Sequence, residues 1–132
     1  MKYYTLKENH LFSKAYRNGQ YAGGKYISVY VMPDYHAARL QRAHPLKLRI
    51  NRVGFTVAKK LGVAVVRNRV KRILREAYYK ACKTLDMKTG KIIVIAARSA
   101  AVSVKTDDIY RELEAALIQL GVAAKKKETE NE

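Results

Sequence analysis

Acidic residues are scarce in this sequence of 132 residues, which carries 11 Asp and Glu against 27 Lys and Arg, for a formal net charge of +16. Such an excess of positive charge indicates a polyanionic partner, with nucleic acid favoured over an anionic membrane surface. The few carboxylates are not paired at a spacing suited to acid–base catalysis, and no HExxH, GxSxG or Walker motif occurs. A protein nuclease, which would need a carboxylate cluster, is therefore poorly supported.

Cysteine, tryptophan and long apolar runs are scarce as well. The single cysteine, Cys82, excludes an internal disulfide and fits a reducing cytoplasm, and helical spacing predicts it on the polar, exposed side of its helix. No run of 18 apolar residues occurs, and the first ten residues lack the apolar core of a signal peptide, so we expect no membrane association. Tryptophan is absent, but the ten tyrosines suit a wettable surface that stacks on bases.

The most strongly patterned stretch spans residues 59–80. It carries seven basic side chains and no acidic one between residues 59 and 75, and its apolar residues recur every three or four positions. This period predicts a helix over 64–85 with one buried stripe. Arg67, Lys71 and Arg75 form a ladder of repelling charges, which favours a polyanion partner over a merely solvated face. Lys59 and Lys60 flank the helix start, whose backbone amides favour phosphate.

The remaining segments predict a single α+β domain over residues 1–121, followed by a tail over 122–132 that we expect to be disordered. A first helix is expected to be capped by Asn9 and to end at Gly19 in the left-handed conformation, and Thr106 is expected to cap the last helix. The predicted architecture is a small mixed four-stranded sheet packed with about three helices, with the basic helix 64–85 as a crossover. The strands are expected at the following positions: 26–32, 47–58 in two pieces separated by Gly54, and 92–97.

Aromatic residues mark a second candidate surface. Phe12 and Tyr16 lie one turn apart on the first helix, and Tyr26 and Tyr30 share one face of the first predicted strand. These side chains either belong to the core or form a stacking platform or the rim of a cleft. The connection 34–46 holds two histidines eight residues apart without a third ligand nearby, so no metal site is expected there.

The stretch GFTVAKKLGVAVVRNRVKRILREAYY resembles the signature of the bacterial ribonuclease P protein subunit. Its basic core is Arg67-Asn68-Arg69-Val70-Lys71-Arg72, followed one turn later by Arg75. The resemblance covers about residues 6–121, because the flanking elements follow in the family's order. Three features depart from the family: Val63 stands where Asn is usual, Tyr16 where Phe is frequent, and the 34–46 connection is longer.

The resemblance implies a function. In this family a catalytic RNA, using bound Mg²⁺, hydrolyses the phosphodiester that frees the mature 5′ end of tRNA, and the protein binds both that RNA and the single-stranded 5′ leader of precursor tRNA. It implies that Phe12, Tyr16 and Tyr30, with Tyr26 as an alternative to Tyr30, line the leader cleft. It also implies that the catalytic RNA is bound by the following residues of the basic stretch: Lys60, Arg67, Asn68, Arg69, Lys71, Arg72 and Arg75. Lys59 joins them because it flanks the same helix start. Asn68 has three possible roles: orienting a neighbouring arginine, binding RNA, or reaching a metal-bound water.

The predicted function is thus a non-catalytic protein subunit of a cytoplasmic endoribonuclease, with Mg²⁺ held mainly by the RNA and with no further protein partner required. A ribosomal-type basic RNA-binding protein without a role in cleavage remains the alternative. It would share the charge and fold class, but its affinity would not depend on a precursor leader. A DNA-binding regulator is disfavoured, because strands rather than a short helix precede the basic helix.

Overall fold

A computed structural model describes residues 3–36, 39 and 51–125. Tyr35 and His36 are helical, and the rest of the 34–46 connection lies largely outside the described residues. The helices with complete bounds are α1 (Asn9–Asn18), α2 (Ala64–Thr84) and α3 (Thr106–Gln119). The strands are β1 (Tyr3–Thr5), β2 (Gln20–Gly23), β3 (Ile27–Pro33), β4 (Asn51–Thr56), β5 (Leu85–Met87), β6 (Lys91–Ala97) and β7 (Ala123–Lys125).

The main sheet is mixed, with strand order β1-β4-β6-β3-β2. Strands β4 and β6 are parallel neighbours joined by α2, whereas β3 is antiparallel to both β6 and β2. The α+β class, the mixed sheet, the three helices and the basic crossover helix are as predicted. The sheet has five strands rather than four. The two pieces expected within 47–58 form one strand, β4, that runs through Gly54, and β1 and β2 add to the two edges. Strands of three or four residues are too short to show a clear alternation in the sequence.

The sheet separates two hydrophobic cores. Helices α2 and α3 cover one face, where Leu74 and Leu113 pack with Ile93 and Ile95 of β6. Helix α1 covers the other face over a smaller cluster of five buried residues: Leu6, Ala15, Met32, Ile92 and Val94. Successive residues of β6 therefore point into different cores, which explains its near-continuous apolar run. No helix within the described ranges is both long and apolar enough to cross a bilayer.

The ends of α1 differ from the prediction. Glu8, not Asn9, precedes the first helical residue, so the Asn9 cap is wrong. Gly19 has φ −72°, an ordinary extended value, so the left-handed stop is also wrong. Glycine is needed there for a different reason, since a Cβ at Gly19 would lie 2.5 Å from the Ala15 carbonyl oxygen. The chain turns into β2 so tightly that no side chain fits.

Helix α3 begins at Thr106 itself and Lys105 precedes it, so the predicted Thr106 cap is wrong. The Thr106 hydroxyl donates to Glu76 Oε1 on α2 at 3.1 Å, so it ties two helices together and does not cap its own. The backbone N–H of Lys105, the residue before the helix, donates to Asp108 Oδ2 at 3.3 Å. This bond places a carboxylate in the first turn, where the helix dipole favours negative charge.

Two further expectations are corrected by packing. Cys82 is buried rather than exposed, because α3 as well as the sheet covers α2 and the buried arc of the helix is wider than one stripe. This burial raises the pKa of the Cys82 thiol.

The folded part also extends beyond the predicted boundary at residue 121. Val122 and Ala123 are buried, and β7 pairs antiparallel with β5, both of which the sequence pattern missed. The last part of the predicted tail, residues 126–132, lies outside the described residues.

Candidate nucleic-acid interface

Phe12 is seated where α1 crosses the sheet. Its ring packs with the smaller core and lies directly over Gly54 of β4, where a Cβ would collide with it. Glycine in the middle of a strand weakens the strand but permits such a close approach. Gly54 therefore gives Phe12, the first of the predicted cleft residues, the room to lie against the sheet.

Tyr16 and Tyr30 meet beside Phe12. Their ring centroids are 5.0 Å apart with planes at 85°, the edge-to-face arrangement that aromatic pairs favour. The Tyr16 hydroxyl lies 3.3 Å from Thr56 Oγ1 at the end of β4, and 44% of the Tyr16 side chain stays exposed. Burial raises the pKa of Tyr30, and the neighbouring Tyr21 and Tyr16 raise it further.

Tyr21 joins these residues, although the sequence pattern did not predict it. It lies opposite Tyr30 in the antiparallel β2–β3 pair, and the two ring centroids are 5.1 Å apart. Finding it from sequence would have required the register of β2, a strand of only four residues. We use the term aromatic cleft for these four side chains: Phe12, Tyr16, Tyr21 and Tyr30.

Tyr26 lies apart from the aromatic cleft. It precedes β3, in a bend, so the alternation seen at Tyr30 does not extend to it. Its ring packs against the larger core, its N–H donates to Glu112 Oε1 at 2.8 Å, and its carbonyl accepts from the Arg98 N–H. Of the two residues left open by the sequence, the structure brings Tyr30, not Tyr26, to Phe12 and Tyr16.

The basic residues predicted to bind RNA lie along the start of α2 and the turn before it. This basic face comprises Lys59, Lys60, Arg67, Asn68, Arg69, Lys71, Arg72 and Arg75. Arg67 and Lys71 are half-buried and the other six are exposed. Over residues 3–36, 39 and 51–125, none of its seven cations forms an ion pair; the pairs present involve Arg52 and Lys80 instead. Uncompensated positive charge of this density is a surface suited to phosphates.

Two arginines of the basic face also hold the local backbone. Arg67 Nε donates to the Gly62 carbonyl at 3.1 Å, which fixes the turn before α2, and Arg69 Nη1 donates to the Val102 carbonyl at 2.9 Å. Each guanidinium keeps further N–H donors for a ligand. The Asn68 side chain is exposed and makes no hydrogen bond to any described residue, so it does not orient a neighbouring arginine. Its two other possible roles stay open.

The aromatic cleft and the basic face meet at one end of the sheet. Thr56, which contacts Tyr16, is the last residue of β4, and the Lys59–Leu61 turn into α2 follows shortly after it. The parallel strand β6 ends alongside, with Ala96 opposite Thr56. An open groove of about 580 Å³ borders Tyr16 and is lined by His10, Ser13 and Arg17. A single strand of nucleic acid lying in the cleft would therefore run close to the start of the basic helix.

The Ribonuclease P family model matches residues 1–121 of the sequence. The chain belongs to the ribonuclease P protein family. It is 40% identical over 97 residues to the ribonuclease P protein component of Natranaerobius thermophilus, covering 74% of this chain and 72% of that protein. It is 34% identical over 120 residues to the one from Clostridium botulinum, covering 91% and 93%.

Solved structures of the family share the fold. The Staphylococcus aureus RNase P protein superposes with a TM-score of 0.70 at 29% identity, covering 92% of this chain and 98% of that one. The Thermotoga maritima RNase P protein gives a TM-score of 0.63 at 20% identity, over 83% and 90% of the two chains, and this likeness shows the fold alone. The resemblance carried by the basic signature is thus confirmed over the whole domain.

Proposed function

We propose that this protein binds the catalytic RNA of ribonuclease P through its basic face and the single-stranded 5′ leader of precursor tRNA in its aromatic cleft. In this way it assists the endonucleolytic cleavage that produces the mature 5′ end of tRNA. One observation carries the proposal, in a chain that belongs to this family. The seven cations of the basic face, which form no ion pair among the described residues, lie at the same end of the sheet as the partly exposed rings of the aromatic cleft.

The two surfaces suit two kinds of ligand. Phosphate contacts from Lys and Arg give strong, salt-dependent binding that carries little sequence information, as a large folded RNA requires. Stacking on aromatic rings contributes ~1–3 kcal/mol per base and tolerates any sequence. A subunit that serves many precursors with unrelated leaders needs this second property.

We further propose that the Mg²⁺ of the reaction is held mainly by the RNA, which would carry the hydrolysis, and that the complex acts in the cytoplasm without another protein. Within the described part of the chain, His, Cys, Asp and Glu do not come together in any group of three that could hold a metal ion. The contribution assigned to this chain is to neutralise phosphates near the active centre and to hold the leader in place.

The test is cleavage of precursor tRNA by a bacterial RNase P RNA at low Mg²⁺, with and without this protein. We expect the protein to stimulate release of the mature 5′ end, because its cations replace part of the screening that Mg²⁺ supplies at high concentration. Intact RNA binding without stimulation would contradict the proposal and favour a ribosomal-type RNA-binding protein. Cleavage by the protein alone would place the active site on the polypeptide.

A further inference from the structure

We propose that Tyr21 provides an additional stacking position for the leader, so that the aromatic cleft holds one nucleotide more than Phe12, Tyr16 and Tyr30 hold together. This inference rests on the proposed function and deepens it. It concerns a residue outside the basic signature, on an edge strand that the sequence pattern did not predict.

The first observation is the position of Tyr21 on the sheet. It faces Tyr30 across the β2–β3 pair, while Tyr16 packs against Tyr30 from α1. Tyr30 is therefore the middle ring of three, and Tyr21 extends the row outwards onto β2, at the edge of the sheet. A strand of nucleic acid that leaves Tyr16 and Tyr30 on this side meets Tyr21 next.

The second observation is that 51% of the Tyr21 side chain is exposed, although the ring is in contact with Tyr30. The two rings are tilted at 45°, an angle that leaves part of the Tyr21 ring open to a further planar group. Aromatic side chains half exposed in this way are the usual stacking partners of single-stranded bases.

The third observation is that Gly23 makes room for the Tyr21 side chain. Residues 21 and 23 lie on the same face of β2, and a Cβ at Gly23 would collide with the Tyr21 hydroxyl and ring. The ring thus lies along the strand over a position without a side chain, held between Gly23 and Tyr30. A ring fixed before the ligand arrives loses less conformational entropy on binding.

The experiment measures the affinity of the reconstituted holoenzyme for precursor tRNAs whose leaders are lengthened by one nucleotide at a time. The wild-type affinity should rise with leader length up to a plateau. For Tyr21→Ser, which removes the ring from an exposed edge position, we expect the plateau one nucleotide earlier and about fivefold weaker binding of long-leader substrates. Tyr21→Phe should match the wild type, because stacking does not require the hydroxyl.

Gly23→Ala is a second variant that keeps the ring but displaces it. Because the far end of a flexible side chain can move aside, this change should preserve the fold and yet shorten the leader-length profile partly. Mature tRNA, which has no leader, should bind all four proteins equally. Equal loss for mature and precursor tRNA in Tyr21→Ser would show a structural role and overturn the inference.

Failure of this inference is distinguishable from failure of the proposed function. If Tyr16→Ala weakens long-leader binding while Tyr21→Ser follows the wild-type profile, the cleft stands and the additional position is wrong. If the wild-type affinity does not depend on the leader at all, the proposed leader cleft is wrong, and this inference fails with it.

Discussion

The basic face and the aromatic cleft are neighbours, but they are built in different ways. The basic face comes from one continuous stretch, residues 59–75, and most of its side chains are exposed to solvent. The aromatic cleft combines side chains from α1, β2 and β3 with a glycine of β4 that makes room for Phe12. Charge acts over several ångströms and tolerates imprecise placement, whereas stacking requires rings at defined angles. Substitutions should therefore affect the two surfaces differently.

The largest expected effect is a loss of folding stability, which would disturb the basic face and the aromatic cleft alike. Arg52 binds Asp34 through two hydrogen bonds of 2.7 and 2.8 Å and binds Glu8, next to α1, at 3.0 Å. Asp34 is only 3% exposed, so Arg52→Ala takes a bidentate charged partner from a buried carboxylate. We expect the free energy of unfolding in urea to fall by about 3 kcal/mol.

Arg52→Lys is the matched control for that variant. It keeps the positive charge but loses the bidentate geometry, so its stability should lie between those of the wild type and Arg52→Ala. A change below about 0.5 kcal/mol for Arg52→Ala would mean that this network does not hold α1 and β4 together.

The second prediction isolates the aromatic cleft. Tyr16→Ala removes a half-exposed ring, and we expect the holoenzyme's preference for precursor over mature tRNA to fall about fivefold or more, with little change in binding to the catalytic RNA. Tyr16→Phe loses only the hydroxyl near Thr56 and should keep the preference. Tyr79→Ala is the control for an exposed tyrosine on the opposite side of the sheet, and it should change neither quantity.

The third prediction isolates the basic face. Arg72 is exposed and makes no contact that holds the fold within the described residues, so Arg72→Ala should remove charge alone. We expect weaker binding to the catalytic RNA and a salt dependence, measured as log K against log salt concentration, that is shallower by about 1. Precursor and mature tRNA should be affected equally.

Lys88→Ala removes an exposed cation at the other end of the sheet and is the control for Arg72→Ala. If both substitutions change the salt dependence equally, the RNA is attracted by the overall charge of the protein and not by the basic face.

The smallest expected effect concerns Val63, where the sequence resemblance implies Asn as the usual residue. Val63 occupies the position before α2, has extended backbone angles, is 70% exposed and supplies no side-chain cap. Asparagine is among the best residues at that position, so Val63→Asn should stabilise the fold by about 1 kcal/mol. Val65→Asn makes the same change two residues later, inside the helix, and should bring no gain. Thermal unfolding compares the two, and equal midpoints would contradict the cap.

The contrast between the two surfaces also explains what the sequence could predict. The basic face depends on helical periodicity and charge, which are local properties, and α2 lies within one residue of its predicted bounds. The long apolar strand β6 and the assignment of Phe12 and Tyr16 to one helix face follow from local patterns too.

The remaining features depend on contacts between distant segments. The sequence pattern does not reveal Tyr21 and leaves Tyr26 as an alternative to Tyr30, because only the pairing of β2 with β3 decides which tyrosines meet. Periodicity predicts an exposed Cys82, because it cannot show that two elements cover the same helix. Strand β7 was missed because its pairing partner, β5, lies some forty residues earlier in the chain.

Photo-crosslinking tests most directly whether the aromatic cleft binds the leader and the basic face binds the catalytic RNA. p-Benzoylphenylalanine is placed at position 16 in one protein and at position 72 in another, and each is assembled with RNase P RNA and precursor tRNA. We predict that position 16 crosslinks to the 5′ leader and position 72 to the catalytic RNA. Crosslinks from position 16 to the catalytic RNA alone, or from position 72 to the leader alone, would contradict the account.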